Sequence, residues 1–243
     1  MQAWGLTDVG TVRHQNQDTY SILQLDKQSS LLVVCDGMGG ELSGDVASSM
    51  ALVAFQNAVS TAWRRINAKT DFREILFSAL QQANDAVFRQ SYSGEQYEGM
   101  GTTLVAALVV GNKVWIVNVG DSRAYHIQKN DCTCVTVDHS YVQMMVERGM
   151  ITQGEAQNHP KRNLITRAVG TSPTVHGDLF ELELSKGDFL LLCSDGLTNV
   201  LNVQEIIYEV LHGGENDTCC NRLLEVAKSH GAPDNLTVVL ARG

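Results

Sequence analysis

Four aspartates stand at the ends of apolar runs that are typical of buried β-strands. Asp36, Asp121 and Asp195 each follow such a run, and Asp234 precedes one. If these strand ends meet at one edge of the fold, the four carboxylates converge. An Asp-Gly pair after a strand is also an ordinary turn signal, so any one of these residues alone indicates little. Their repetition along the chain favours a shared site.

Converging carboxylates repel one another, so they must either take up protons or hold cations. At an effective dielectric near 20, two carboxylates about 4 Å apart cost on the order of 4 kcal/mol. Carboxylate, carbonyl and water oxygens suit hard ions such as Mg²⁺ or Mn²⁺, whereas zinc or copper would require histidine or cysteine ligands. A pair of such ions lowers the pKa of bound water and neutralises a phosphoryl group. The pattern therefore favours phosphoryl hydrolysis.

A polar loop ahead of the first of these strands adds a cation suited to phosphate. Residues 10–18 read Gly-Thr-Val-Arg-His-Gln-Asn-Gln-Asp and lie between two short predicted strands. Arg13 in this loop offers a planar guanidinium that matches phosphate oxygens, and Asp18 ends the loop. A single loop arginine is more often a solvated surface residue, so Arg13 gains a role only through its neighbours.

The predicted strands come in hairpins, which is typical of antiparallel sheets. One hairpin joins 102–110 to 113–119 across Gly111-Asn112, a favoured two-residue turn. A second joins 123–128 to 133–137 across residues 129–131. Three further strands are predicted from apolar runs that end or begin near the candidate aspartates.

Long helices are predicted in two pairs. Apolar periodicity and capping residues place their first residues at the following positions: Ser43, Asp71, Asn202 and Asp217. The intervening stretch 141–163 is polar and helical only in fragments, with Gly149 as a helix stop. Hairpins and helix pairs together predict an α+β fold: two antiparallel β-sheets packed as a sandwich, flanked by pairs of antiparallel helices on both sides.

Composition limits the classes of function. With 243 residues, of which 44% are hydrophobic, the chain can bury a full core as one domain. An excess of 27 acidic over 18 basic residues disfavours nucleic acid and anionic membranes as partners. There is no signal-like N-terminus and no long apolar segment, so we expect a cytoplasmic protein. The six cysteines lack a Cys-x-x-Cys pair and are expected to be reduced thiols.

Six short motifs, in order, resemble those of the metal-dependent (PPM, type 2C) serine/threonine protein phosphatases. They are Arg13-x-x-Asn16-x-Asp18, Asp36-Gly-Met-Gly-Gly40, Gly120-Asp-Ser-Arg-Ala124, Asp138-His-Ser140, Ser194-Asp-Gly196 and Asp234-Asn-Leu-Thr-Val238. One Asp-Gly is weak evidence, whereas six ordered motifs that span nearly the whole chain are strong evidence. The compact length and the methionine in the second motif resemble the bacterial members in particular.

The resemblance implies a phosphoprotein phosphatase that hydrolyses phosphoserine and phosphothreonine. In that family a hydroxide that bridges two Mn²⁺ or Mg²⁺ ions attacks the phosphorus. Carried over, Asp36 would bridge the ions and Gly37 would give its backbone carbonyl to one of them. Asp195 and Asp234 would complete the coordination of the other ion. Asp121 with Asp195 would hold the third ion that bacterial members often contain.

The resemblance also implies roles around the metal site. Arg13 would bind the phosphate, and Asp18 would act mainly through metal-bound water. The polar insert of about residues 141–170 is similar to the family's flap, within a single domain that spans 1–243. His159, at its far end, would lie near the substrate, although a histidine in a polar stretch is usually solvated. The implied partners are phosphorylated proteins and a cognate serine/threonine kinase, and a monomer is the expected state.

Two positions depart from the family pattern. Many members have glutamate where Gln17 stands. In this chain an amide instead of a carboxylate would hold the water shell around the second ion. Eukaryotic members have histidine at the position of Met38, where it is thought to protonate the leaving oxygen. Methionine cannot donate a proton, so either metal-bound water or a flap histidine is the hypothetical general acid.

Two other classes of protein use comparable residues. A metal-dependent nuclease would have similar carboxylates, but the acidic balance and the lack of a basic stripe disfavour it. A phosphoprotein-binding module without activity would keep the fold while losing ligands, and all the candidate carboxylates are present here.

A chromogenic assay separates these three classes. We expect the chain to hydrolyse p-nitrophenyl phosphate, to lose this activity with a chelator and to regain it with Mn²⁺, because the carboxylates need their cations to work. Asp195→Asn should abolish the regained activity. Hydrolysis that survives both the chelator and this substitution would contradict the predicted site.

Overall fold

The structure, a computed structural model of the chain, describes residues 1–39, 43–129 and 131–243. Within these ranges there are eleven strands and seven α-helices. The strands are β1 Gln2–Asp8, β2 Asp18–Asp26, β3 Ser29–Met38, β4 Gly101–Thr102, β5 Leu104–Val110, β6 Lys113–Val119, β7 Arg123–Gln128, β8 Asp131–Cys134, β9 Asp178–Glu183, β10 Phe189–Cys193 and β11 Leu236–Arg242. The helices are α1 Gly44–Trp63, α2 Phe72–Ser91, α3 Tyr141–Glu147, α4 Gln153–Gln157, α5 Asp195–Thr198, α6 Val203–Leu211 and α7 Cys219–Ser229. The motif residue Gly40 and the turn residue Asn130 lie outside the described ranges.

The strands form two antiparallel sheets. One sheet has the order β1-β11-β10-β7-β8, and the other has the order β2-β3-β5-β6-β9, with β4 paired to β3. The N- and C-terminal strands β1 and β11 pair along their whole length, from Gln2 opposite Arg242 to Asp8 opposite Leu236. This pairing brings the residues just before β11 next to the loop that follows β1.

Alternating residues of the central strands enter different cores. On β3, Leu32 and Val34 face the other sheet, where they meet residues of β10 and β11 such as Leu190 and Val239. Leu31, on the opposite face of β3, packs instead under α1 and α2. The second sheet is covered in the same way by α6 and α7. Because both faces of these strands are buried, their sequences are continuous apolar runs.

The predicted α+β sandwich with a helix pair on each outer side is confirmed. The Gly111-Asn112 hairpin joins β5 to β6 as predicted, and Gly149, in the left-handed region at φ +66°, follows the end of α3. Asn202 caps α6 by accepting the N–H groups of Gln204 and Glu205 in a complete capping box. At these places short-range signals were sufficient.

Three predicted boundaries were wrong, each because a specific hydrogen bond interrupts the regular backbone pattern. The strand predicted at 133–137 occupies 131–134, since the Thr136 hydroxyl accepts the N–H of Ala124 in place of a backbone carbonyl. The strand predicted at 102–110 is divided at Thr103, whose backbone N–H donates to the Asp36 carbonyl. The helix predicted from Asp217 begins at Cys219, after a 3₁₀ turn closed by the Thr218 N–H.

In the described part of the chain, no helix combines the length and the apolar character needed to cross a bilayer.

The first core predicts a contrast between two positions on α1. Phe55 is fully buried under the β3 sheet, whereas Val53 on the same helix is 54% exposed. We expect Phe55→Ala to lower the free energy of unfolding by about 3–5 kcal/mol through lost burial and a residual cavity. Val53→Ala, the matched control, should change it by at most about 0.5 kcal/mol. Urea denaturation measures both values, and equal losses would contradict the assigned core.

Candidate metal centre

One cleft of about 650 Å³ collects most of the residues singled out in the sequence. Its lining includes all four strand-end aspartates, together with Arg13 and Gly37. Asp18 lies beneath this lining, where it is buried. The cleft draws on both sheets, since Asp36 ends a strand of one sheet and Asp195 follows a strand of the other.

Thr103 holds Asp36 at the end of β3. The backbone N–H of Asp36 donates to the Thr103 hydroxyl at 2.9 Å, and the Asp36 carbonyl accepts the N–H of Thr103 at 2.8 Å. The Thr102 hydroxyl donates to the same carbonyl at 2.8 Å. With its backbone satisfied in this way, Asp36 presents its carboxylate to the cleft. Sequence reasoning missed Thr103, which had been placed inside a regular strand.

Gly37 lies where no side chain would fit. A Cβ at this position would stand 1.9 Å from the carbonyl oxygen of Gly44 and 2.8 Å from that of Gln17. The Gly37 N–H donates to that Gln17 carbonyl at 3.1 Å. A glycine is therefore required for β3 to pass this close to the start of α1.

Ser194 connects Asp18 to the opposite sheet. Its hydroxyl donates to Asp18 Oδ2 at 2.7 Å and accepts the N–H of Thr237 at 3.0 Å. Asp18 itself stands opposite Asp36 in the β2–β3 pairing. The next residue after Ser194 is Asp195, whose Oδ2 accepts the side-chain amide of Asn199 at 3.0 Å. The Ser194 hydroxyl thus fixes the spacing between two parts of the site.

Asn235 holds the Arg13 loop against the entrance of β11. Its Oδ1 accepts the N–H of Gln17 at 2.9 Å, while its Nδ2 donates to the carbonyls of Val9 and Gln15 at 2.9 and 3.0 Å. All of its side-chain atoms are used within one short loop, which brings Arg13 to the cleft. The sequence contained this residue in a motif, but only the folded chain shows its contacts.

Arg13 and Asp234 form an exposed ion pair. Arg13 Nε is 2.9 Å from Asp234 Oδ1, and Nη2 donates to Oδ2 at 3.0 Å. The side chains are 56% and 33% exposed, respectively. The nearby Asp234 carboxylate raises the pKa of the Arg13 guanidinium. Exposed pairs of this kind typically contribute about 1 kcal/mol or less, so other partners can replace either side.

Burial and mutual repulsion make the remaining carboxylates difficult to ionise together. Burial raises the pKa of Asp18 to about 6 and that of Asp121 to about 8. Burial, reinforced by the charges of the neighbouring aspartates, raises the pKa of Asp36 well above its ordinary value. The same two causes raise the pKa of Asp195.

These carboxylates fit a site for hard cations. In the described ranges, no Lys, Arg or His side chain forms an ion pair with the two buried aspartates, Asp18 and Asp121. Arg123, the nearby cation, donates instead to both oxygens of Asp138 at 2.7 and 2.8 Å. Asp18 Oδ1 is buried without a hydrogen-bond partner. An all-oxygen donor set with uncompensated negative charge matches Mg²⁺ or Mn²⁺.

The carboxylates approach one another without closing into a preformed cage. Among the described residues, no three acidic, histidine or cysteine side chains stand together in coordinating geometry. Asp234 is turned to Arg13, and Asp18 to Ser194. Repulsion between unpaired carboxylates favours such a spread arrangement.

His159 is not among the residues that line the cleft. Its ring lies 6.3 Å from that of Tyr141, and its Nδ1 accepts the N–H of Lys161 at 3.1 Å. The segment instead contributes Asn163 and Ile165 to the lining. The local turn satisfies Nδ1 of the ring, and a position of His159 near the substrate stays a prediction.

The comparisons with known proteins identify the family. The profile of the family described as Protein phosphatase 2C matches residues 11–230. The chain belongs to this family. It is 38% identical over 244 aligned residues to the serine/threonine phosphatase stp of Listeria monocytogenes, covering 99% of this chain and 95% of that one.

Solved structures agree with this membership. The serine/threonine phosphatase Stp1 from Staphylococcus aureus superposes with a TM-score of 0.91 at 36% identity, over 100% of this chain and 94% of that one. The catalytic domain of the serine/threonine phosphatase PstP, in complex with two manganese ions, gives a TM-score of 0.85 at 34% identity, over 99% and 97% of the two chains.

Membership confirms the enzyme class predicted from the motifs. The chain is a metal-dependent protein phosphatase, a hydrolase whose substrates are phosphorylated proteins. The manganese ions of the PstP structure agree with the Mn²⁺ or Mg²⁺ predicted from the oxygen-only donor set. The nuclease alternative gains no support from any of these relatives.

The raised pKa values predict how stability depends on pH when divalent ions are removed. The folded chain holds protons on Asp18 up to about pH 6 and on Asp121 up to about pH 8, whereas the unfolded chain loses them near the ordinary value of 3.8. The free energy of unfolding should therefore fall as pH rises through this window, by up to about 1.4 kcal/mol per pH unit for each group. Thermal unfolding in EDTA measures this slope.

Two comparisons check the assignment. Asp121→Asn cannot ionise at this position, so it should flatten the slope between about pH 6 and pH 8. Mn²⁺ should raise the melting temperature of the unmodified chain more at the alkaline end than at the acidic end, because deprotonated carboxylates bind it. Stability that rises with pH in EDTA, or an unchanged slope in the variant, would contradict these shifts.

Proposed function

We propose that the chain removes phosphate from phosphoserine and phosphothreonine in proteins and so opposes a cognate serine/threonine kinase. The observation that carries this proposal is the convergence of Asp36, Asp121, Asp195, Asp234 and Arg13 on one open cleft. Four carboxylates to hold hard cations beside one guanidinium match the needs of phosphoryl hydrolysis. The relatives named serine/threonine phosphatases support the same class of substrate.

The proposed metal ligands are those predicted from the motifs. Asp36, the backbone carbonyl of Gly37, Asp195 and Asp234 would hold two ions, with Asp36 shared between them, and Asp121 with Asp195 would hold a third. When bound, the ions supply an activated water near neutral pH and neutralise charge on the phosphoryl group. Thr103 and Ser194 hold the strand ends at the cleft, whereas Asp234 would have to turn away from Arg13 to reach an ion.

Arg13 is the proposed phosphate-binding residue. Its side chain lines the cleft and is 56% exposed, and its present partner Asp234 is exposed enough to exchange. A phosphoryl group can accept the same bidentate pair of hydrogen bonds that Asp234 now accepts from the Arg13 guanidinium. Exchange of partners would release the Asp234 carboxylate for a cation and the Arg13 guanidinium for the substrate in the same event.

Asp18 supports the reaction from below the cleft. Its Oδ2 is fixed by Ser194, and its Oδ1 is buried and free to accept. This arrangement supports the predicted role through an ordered water. Met38 lines the cleft and cannot transfer a proton, so the proton for the leaving serine or threonine oxygen comes from water or from another group.

The segment 141–170 is the proposed flap of a single domain spanning 1–243. Asn163 and Ile165 line the cleft and are better placed than His159 to contact a phosphoprotein. The proposed location is the cytoplasm, where the chain would meet the same phosphorylated proteins as the kinase. The proposed oligomeric state is a monomer.

Phosphopeptides test the proposed function and the role of Arg13. With Mn²⁺ the chain should release inorganic phosphate from phosphoserine and phosphothreonine peptides. Arg13→Ala should lower kcat/KM about 10- to 100-fold, as expected when a charged hydrogen bond of about 1.5–3 kcal/mol is lost. Arg64→Ala, an exposed arginine at the end of α1, is the matched control. No phosphate release by the unmodified chain would overturn the function, and equal rates for both variants would overturn the role of Arg13.

A further inference from the structure

His139 is a buried histidine whose ring and backbone both bind the loop that carries Asp121. The backbone N–H of His139 donates to the Gly120 carbonyl at 2.9 Å, and the Gly120 N–H donates to His139 Nδ1 at 3.2 Å. Gly120 has φ +103°, a backbone conformation that favours glycine. It immediately precedes Asp121, so these two hydrogen bonds determine where the Asp121 carboxylate can point.

The hydrogen bond from the Gly120 N–H to Nδ1 fixes the tautomer of the ring. Because Nδ1 accepts a hydrogen bond, the ring proton lies on Nε2. Nε2 is 3.2 Å from Asp178 Oδ2, to which it donates. Arg167 Nη1 donates to the other oxygen of Asp178 at 3.0 Å and stands 3.1 Å from His139 Nε2, a contact in which Nε2 cannot accept while it carries the ring proton. The neutral ring therefore connects Gly120 on one side with Asp178 and Arg167 on the other. Burial also lowers the pKa of His139, in keeping with a neutral ring.

The same residue anchors the part of the flap that lines the cleft. The His139 carbonyl accepts the N–H of Thr166 at 2.7 Å, and the next residue, Ser140, pairs with Ile165 in an isolated β-bridge. The Tyr141 N–H donates to the Leu164 carbonyl at 2.8 Å. Residues 164–167 are thereby tied to the Asp121 loop through one short stretch of chain.

We infer that His139 is a positioning residue: it fixes the position of the Asp121 carboxylate relative to the cleft-lining segment 163–167. It does this through opposite sides of its ring: Nδ1 holds Gly120, and Nε2 holds the Asp178–Arg167 pair. His139 does not line the cleft itself. The inference rests on the proposed function, because Asp121 matters to catalysis only if the carboxylate site is the active site.

Three substitutions separate the two sides of the ring. His139→Asn places an amide oxygen near the position of Nδ1 and can still accept from Gly120. His139→Gln extends further and can still donate toward Asp178. His139→Ala loses both contacts while keeping the backbone hydrogen bonds. His126→Ala is the matched control, because His126 also pairs with an aspartate, Asp188, at 3.0 Å.

Two measurements are made on each variant. Hydrogen–deuterium exchange of residues 163–167 and of the Gly120 loop reports on positioning without needing activity or metal. Steady-state kinetics with a phosphoserine peptide and Mn²⁺ report kcat and KM. We expect His139→Ala to increase exchange in both segments and to lower kcat/KM about 10- to 100-fold, as for other supporting residues of metal sites. His126→Ala should leave both unchanged.

The conservative variants give the decisive outcome. We expect His139→Asn to restore protection of the Gly120 loop together with kcat, and His139→Gln to restore protection of residues 163–167 together with KM. If both resemble His139→Ala, or if His126→Ala causes the same losses, His139 is merely a core residue and the inference is overturned. Absence of activity in the unmodified chain would overturn the proposed function alone, because the exchange pattern still tests the positioning.

Discussion

Repulsion between carboxylates is the constraint on which the arrangement of this protein depends. Asp18, Asp36, Asp121 and Asp195 are brought near one another in a partly buried cleft, where their charges are poorly screened. The folded state tolerates these carboxylates only if bound protons or cations offset their negative charge. The folded chain is therefore expected to bind hard cations strongly. Hydrogen bonds around the cleft hold the strand ends that carry these side chains.

Small polar side chains supply that restraint. Thr103 holds the end of β3, Ser194 ties Asp18 to the second sheet, and Asn235 holds the Arg13 loop. None of them carries charge, so they position the carboxylates without neutralising them. The inter-sheet core underneath, which includes Leu32 and Leu190, leaves the strand ends little freedom to move. The site is thus a property of the sandwich rather than of any one loop.

Much of the fold was accessible from short-range signals. The apolar runs of β3 and β10, the capping box at Asn202 and the Gly111-Asn112 turn act within a few residues, so pattern and propensity sufficed for them. The errors arose where distant or competing contacts decide. Thr136 ends β8 by a side-chain hydrogen bond, which no periodicity reveals.

The candidate site divides in the same way. Residue type and order were enough to propose Arg13 and the aspartates as site residues, and oxygen ligands alone were enough to choose between hard and soft metals. Contacts between positions far apart in sequence decided the rest: the Arg13–Asp234 pair and the bond from Ser194 to Asp18. Chemistry is encoded in the identity of each residue, but the distance between two side chains exists only after the sheets have packed.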